Sequence, residues 1–481
     1  MTEVAGLGGT LLDGRMDGQQ GIGTRSDAWV GWLSAIVLGL TLAYAINGLP
    51  EFDRDRVVAT DYVNPLNRWI WLGLLALAAP VLLRRWREAW ALTLASWPLL
   101  LLYLYFALSA FWALDPAISA RRMLFTLVQL ALLVVLLSGL RRALLAHLLI
   151  MGVCIGAALI DLGAWAALPG YVMTDEGFAG LQTQKNQTGL MMMFGCLSVG
   201  TGYFLRREWW WRVGVLGSLL MIAGLLVATR STTSQVITLL APTVMPAVLL
   251  VARLPRRVIW GIVLGGLAAL SVAALVYVAA VDLAGGDPWG PMRGITFTSR
   301  TDLWSFVLDE IAKRPWFGAG YASFWSIDPA VQPSLKADQW FSVYVLINEG
   351  HQGYLDLLAT GGIFGFIGGM AVVLRTLCIA GLAITRASPA ALAWQDGTLA
   401  RPTAVFHLTL LICLLVHNFT ESNLFFNNSV LAVAFVLAAL ELERWRMGWR
   451  AASADAVQPV MRRRPARAAA PAAPRPSGQS A

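Results

Sequence analysis

Charge is what this chain has least of: 13% of its 481 residues are Asp, Glu, Lys or Arg, while 57% are hydrophobic. Soluble domains carry roughly a quarter charged residues, so a deficit of this size excludes a water-soluble protein. Cysteine is scarce as well. Cys154, Cys196, Cys378 and Cys413 are scattered through apolar runs with neither the pairing nor the spacing that a disulfide or a zinc site needs, and they read as small buried hydrophobes. No small-residue cleavage site follows the first apolar run, Trp29 to Ile46; acidic sequence follows instead, which marks a first span rather than a removed signal. Internal repeats are missing, and so are the paired broken helices of many secondary transporters. Ionisable residues inside the apolar runs are few, Asp161 and Asp356, both near the ends of their runs. A transporter usually places polar groups at the bilayer midplane.

What is present is a series of apolar windows, many of the roughly 20 residues a bilayer-crossing helix needs. They fall near 29–47, 66–83, 90–112, 120–138, 143–168, 187–205, 210–229, 233–252, 258–281, 352–374, 402–417 and 427–443. The expected fold is therefore all-α: a polytopic membrane protein of about twelve transmembrane helices with one large outer loop holding short amphipathic helices. The expected division is a cytoplasmic tail at 1–28, a membrane domain at 29–450 and a disordered cytoplasmic tail at 451–481, where Ala, Pro and Arg cannot bury enough surface to offset ordering entropy. With both termini cytoplasmic, the inner loops carry RRWR (Arg84 to Arg87), RREWWWR (Arg206 to Arg212), RLPRR (Arg253 to Arg257) and the Arg-rich tail. Basic residues outnumber acidic ones more than two to one on that side, and acidic ones prevail on the other, as the positive-inside rule requires. The net charge of +8 then reports orientation and contact with anionic lipid, not nucleic acid.

The outer loop, 282–351, is the one long polar stretch, and chemistry is expected there. Ser299 and Asp302 form a capping-box pattern, and Leu303, Trp304, Val307, Leu308 and Ile311 recur at helical spacing, which predicts an amphipathic helix on the membrane surface ending near Pro315. Arg300 falls in its first turn, where a positive charge opposes the helix dipole and so hints at another use, such as gripping an anion. Arg230 follows MIAGLLVA (Met221 to Ala228) and is pinned close to the outer surface by a very short turn. His351 sits where the loop meets the next span, and an imidazole of near-neutral pKa is suited there to accept a proton. Each has a plainer reading as a solvated, snorkelling or interfacial residue. Two outward turns add polar candidates: Lys185 and Asn186 in GLQTQKNQTG (Gly180 to Gly189), and Asn418 and Glu421 in HNFTES (His417 to Ser422). Asp53 and Asp55 have the spacing of a metal-diphosphate pair, but Arg54 and Arg56 interleave with them, and no metal is expected.

Together these segments resemble the O-antigen ligase and exopolysaccharide polymerase superfamily. LSAFWALDPAISARR (Leu108 to Arg122) resembles its Trp and Asp-Pro turn between the third and fourth spans, and GLQTQKNQTG its Lys-Asn turn. SRTDLWSFVLDEIAKRPWFGAGYASF (Ser299 to Phe324) is similar to its Arg-x-x-x-Trp helix and Pro-x-x-Gly-x-Gly turn. HQGYLDLLATGG (His351 to Gly362) is similar to its His-led span, and HNFTES to its Asn-x-x-Glu-Ser ending. The likeness runs in order over about 108–422, and its serine- and threonine-rich TRSTTSQ (Thr229 to Gln235) leans to the exopolysaccharide branch; Gln352 stands where relatives often have Asn.

The resemblance implies a glycosyltransferase of the bacterial inner membrane, with its active site on the periplasmic face and no metal or cofactor. Its partners would be an undecaprenyl-diphosphate-linked glycan as donor, a glycan or lipid A core as acceptor, membrane lipid and the polysaccharide export machinery. Carried over, Arg230 and Arg300 would grip the diphosphate and His351 would assist the acceptor hydroxyl, with Lys185, Asn186, Gln352, Asn418 and Glu421 binding substrate. A lipid-linked glycan flippase or other transporter and a non-catalytic export partner are the alternatives. Convergence of the Arg and His residues discriminates against both.

Overall fold

A computed structural model describes residues 28–49, 64–140, 143–251, 254–284, 300–343, 347–385, 400–425 and 430–462. The expectations for Asp53, Asp55, Ser299 and residues 463–481 lie outside the described residues. The chain is an all-α membrane protein. Its principal helices are α1 (Ala28–Asn47), α2 (Leu66–Ala95), α3 (Trp97–Leu108), α4 (Pro116–Gly139), α5 (Ala143–Ala167), α6 (Lys185–Gly202), α7 (Trp209–Ala228), α8 (Thr232–Val251), α9 (Arg256–Leu283), α10 (Arg300–Lys313), α11 (Gly353–Thr385), α12 (Ala400–His417) and α13 (Val430–Arg462). The only strands among the described residues are β1 (Met173–Thr174) and β2 (Gly177–Phe178), an antiparallel hairpin.

A helix overlies every apolar window read from the sequence. Among the described residues, six helices are long and apolar enough to cross a membrane: α1, α2, α4, α5, α7 and α11. Their outer faces keep large apolar side chains exposed, as at Leu83, Leu220 and Leu374, which lipid rather than water suits. α6 differs. Met191, Met192, Met193 and Phe194 are all buried on consecutive positions, so its surface is covered all round, the mark of a helix inside the bundle. It packs against α5, α7, α8 and α12. The last helix runs to Arg462, past the boundary set at 450, along a stretch whose alanines favour helix.

Local chemistry explains the breaks. Asp115 caps α4, its carboxylate accepting the Ile118 N–H at 3.0 Å with Pro116 in the first helical position. α2 bends at Arg85 (φ −120°) and α11 at Gly362 (φ 61°, ψ −168°). At this second bend the Pro315–Gly320 turn of the outer loop lies backbone against backbone on α11. Ala319 N–H donates to the Ala359 carbonyl at 2.8 Å, Gly320 N–H to Thr360 at 3.0 Å, and Ile363 N–H to Pro315 at 2.8 Å. A Cβ on Gly362 would stand 2.4 Å from the Trp316 carbonyl, so only glycine satisfies both the left-handed backbone and the approach.

The described part of the outer loop has its own core, where Leu303 and Val307 of α10 meet Phe324, Trp325, Phe341 and Ile347. The expected amphipathic helix is α10, which turns Leu303 and Val307, both 0% exposed, into this core while Leu308 stays 52% exposed.

Candidate active site

The loop is fastened to the bundle by the segment that carried the Trp and Asp-Pro likeness. Arg122 of α4 donates to three loop carbonyls, Ala322 at 2.6 Å, Trp325 at 2.9 Å and Ser326 at 2.7 Å. Ala322 (φ 47°) and Ser326 (φ 52°) both hold left-handed backbone, which side-chain-bearing residues adopt at a cost of roughly 1–2 kcal/mol each. Charge-assisted hydrogen bonds of about 1.5–3 kcal/mol offset that strain. Tyr321 enters the bundle at 1% exposure; its hydroxyl donates to the Phe425 carbonyl at 2.9 Å and lies 2.9 Å from the Thr126 hydroxyl. The 108–122 segment is thus a clamp that sets the height of the loop.

The turn Glu349 to Gln352 is held next. Asp356, in the first turn of α11 and 1% exposed, accepts Trp325 Nε1–H at 2.8 Å, Gly350 N–H at 2.8 Å and the Ser422 hydroxyl. Trp304 Nε1–H donates to the Gly350 carbonyl at 3.0 Å. Between these anchors His351 takes φ 48°, a conformation uncommon outside glycine. Gln352, expected at the substrate, caps α11: its side-chain oxygen accepts Leu355 N–H at 2.6 Å, and its own N–H donates to Ser422 Oγ at 3.2 Å. Asn418, also expected there, is 0% exposed and spends its amide inside its own turn, accepting from Asn423 N–H at 2.9 Å and Leu424 N–H at 3.1 Å and donating to Leu414 O at 2.8 Å.

Against this frame Arg300, His351 and Glu421 converge. Glu421 Oε1 lies 3.2 Å from Arg300 Nη2 and its Oε2 lies 3.0 Å from His351 Nδ1. Arg300 Nη1 also donates to the Thr420 carbonyl at 2.5 Å. That answers what a cation does in the first turn of α10. A second carboxylate, Glu349 Oε1, lies 3.0 Å from the same His351 Nδ1.

Burial of His351 disfavours its charged form, but hydrogen bonds and attraction to Glu349 and Glu421 outweigh it and raise the pKa to about 9. The near-neutral imidazole expected from residue type is an imidazolium at pH 7. For Glu421, burial pushes the pKa up, and His351 and Arg300 pull it further down, to a net value below the usual carboxylate range. Glu349 is moved up by burial more than His351 lowers it.

The ligand atoms of Glu349, His351 and Glu421 lie within 4.8 Å of one another, a donor set that hard divalent ions accept. Here both carboxylates are already matched, by the Nδ1 proton and by the Arg300 guanidinium, so the arrangement closes without an added cation.

Arg230 and Lys185 belong to a neighbouring surface. The Gly177 Cα of the β hairpin faces the Thr229 carbonyl, and Gly189 of α6 abuts Ser231 and Ser234, so the turns bearing Lys185 and Arg230 adjoin. Lys185 Nζ reaches the Glu176 carboxylate at 3.4 Å. Asn186 is half-buried beside it. Arg230 is exposed, holds φ 55°, and its guanidinium has no partner among the described residues. No hydrogen bond among the described residues joins this surface to the Arg300 cluster.

Glu349 and Asp356 are the site residues that sequence reasoning did not assign. Glu349 precedes His351 by two positions but nothing in periodicity marks it, and Asp356 registered only as an ionisable residue at a span end. No curated protein matches the chain. Residues 216–368 match the family model described as O-Antigen ligase, a stretch that contains Arg230, Arg300, Glu349, His351, Gln352 and Asp356. By that match the segment 216–368 is similar to the O-antigen ligase family.

Proposed function

We propose that this protein is a glycosyltransferase that moves a glycan from an undecaprenyl diphosphate carrier to an acceptor sugar at the periplasmic face of the bacterial inner membrane, and that it builds exopolysaccharide by repeating this step. The observation that carries the reading is the junction of Arg300, Glu421 and His351, brought to one point from the first residue of α10, the turn after α12 and the turn before α11, with Arg300 and His351 inside the family-matched segment. Twelve crossings with both termini inside complete the picture, since they put the outer loop and this junction on the periplasmic side.

The donor's diphosphate is the leaving group, and negative charge grows on it as the sugar departs. Guanidinium groups present planar pairs of donors that fit phosphate oxygens. Arg230, exposed and without a side-chain partner among the described residues, would grip the diphosphate on arrival, with Lys185 adding charge. Arg300 and the His351 imidazolium supply fixed positive charge where it is needed, the service a metal gives in other transferases. No metal or cofactor takes part in this reading. Attack by one hydroxyl in a single displacement inverts the anomeric centre.

The test is direct. Purified protein in lipid nanodiscs is given undecaprenyl diphosphate oligosaccharide and the products are sized by gel and mass spectrometry. Longer chains that persist with chelator support the reading, and the Arg300→Ala and His351→Ala variants are each expected to lose about 100-fold or more in rate, the scale of one preorganised charge-stabilising donor. A wild-type protein that makes no transfer product from this donor overturns it.

A further inference from the structure

We infer that Glu349 is the catalytic base, the group that receives the proton of the acceptor hydroxyl as that oxygen attacks the sugar. The inference rests on the glycosyl-transfer reading above and adds the residue that reading lacks, because an imidazolium has no lone pair with which to take a proton.

The geometry points to Glu349 by the way two carboxylates share one N–H. His351 Nδ1 lies 3.0 Å from Glu349 Oε1 and 3.0 Å from Glu421 Oε2. Glu421 is tied at both ends: its other oxygen meets Arg300 at 3.2 Å, and its side chain is 13% exposed. Glu349 is tied at one end. Its second oxygen accepts no hydrogen bond from the described residues, and 33% of its side chain stays exposed. The remaining carboxylate nearby, Asp356, is committed to Trp325, Gly350 and Ser422. His417 is 3% exposed and pairs through Nδ1 with Asn423 at 3.0 Å. Of the carboxylates around the turn, Glu349 is the one that combines an oxygen accepting no hydrogen bond from the described residues, a side chain 33% exposed and a position beside the His351 ring.

The step balances. The acceptor oxygen forms a bond to the anomeric carbon, the bond from that carbon to the phosphate oxygen breaks, and its electron pair leaves with the diphosphate. The hydroxyl proton passes to the Glu349 carboxylate. Before the step two carboxylates offset Arg300 and His351; after it one carboxylate is neutral, so the cluster gains a net positive charge as the leaving group gains a negative one. Positive charge that appears in step with the leaving group stabilises the transition state more than the ground state.

The experiment uses the full-length protein in nanodiscs with the lipid-linked oligosaccharide. Glu349→Gln keeps shape and hydrogen bonding but not basicity, and its kcat is expected to fall about 100-fold or more, the range for a lost general base. Glu349→Ala should regain turnover on adding formate, a small carboxylate that fills the space, whereas Glu421→Ala should not. The acid limb of the kcat profile, which for Glu349 is set by its neighbours His351, Glu421, Asp356, Arg300 and His417, should vanish in Glu349→Gln. A Glu349→Gln variant with near wild-type kcat, or one restored by added divalent cation, overturns the assignment while leaving glycosyl transfer intact; a wild type without transfer overturns both.

Discussion

His351 carries the clearest electrostatic signature in the molecule. One imidazole nitrogen faces two carboxylates at 3.0 Å, and the side chain is neither deeply buried nor open. Its pKa stands near 9 against an ordinary 6.5. A raised value of this kind means that the stabilisation from pairing is whole below about pH 6.5 and fades as pH climbs through about 9. Reagents that acylate neutral imidazole should therefore leave His351 largely intact at pH 7 and modify it with a midpoint near pH 9. His147, His407 and His417 are buried at 1%, 5% and 3% exposure, so the reactive histidine is expected to be His351. Glu421→Gln should move the midpoint down towards neutrality. A midpoint at the ordinary imidazole value in the wild type contradicts the charged pair.

At the scale of elements, the site is held by how the outer loop docks on α11. The bend at Gly362 lets the chain of α11 accept the Pro315–Gly320 turn, and that turn continues into Tyr321 and the carbonyls held by Arg122. Gly362→Ala brings a Cβ to 2.4 Å from Trp316 backbone in a left-handed conformation, where the neighbour is main chain and cannot step aside cheaply. The backbone cost alone is about 1–2 kcal/mol, and the clash adds to it. Expected are a lowered melting temperature, faster proteolysis within 313–326 and at least a tenfold fall in transfer rate; unchanged proteolysis and rate would show that the loop does not depend on this contact. The Arg122 clamp belongs to the same device. Arg122, 200 residues from Ala322 in sequence, ties the loop to α4 and so fixes the height of the loop over the bundle.

Across the whole molecule two polar locks bracket the apolar bundle. One is the Arg122 and Asp356 network at the loop end. The other lies on α13, where Arg444 donates to the Leu137 carbonyl at 2.6 Å and to that of Leu140, closing the C-terminal end of α4, while Glu443 joins Arg375 of α11 at 2.6 Å and Arg446 at 2.5 Å. Breaking a buried pair by removing one partner typically costs about 3–5 kcal/mol, so this end is built to hold helices α4, α11 and α13 in register. If the loop faces the periplasm, a membrane-impermeant thiol reagent should label Asp309→Cys in intact cells and Arg207→Cys only after lysis; the reverse pattern would invert the topology and remove the donor from the proposed site. Cys154, Cys196 and Cys413 are buried and give little background, and Cys378 is controlled by its replacement.

The sequence by itself determined that this is an all-α membrane protein, where its apolar helices lie, and that Arg230, Arg300 and His351 sit at their ends, because hydropathy and local turn chemistry act over one or two turns of chain. Tertiary structure alone decided the rest. Glu421 and His351 are 70 positions apart and meet only because α12 packs on α11. That meeting raises the pKa of the imidazole, and the same packing engages Asn418 and Gln352 in turn and helix caps. Nor does an amphipathic pattern say what covers its apolar face; for Leu303 and Val307 of α10 it is the loop's own core. Protonation, capping and coverage depend on which groups end up within a few ångströms, and that distance is a property of the folded packing, not of position along the chain.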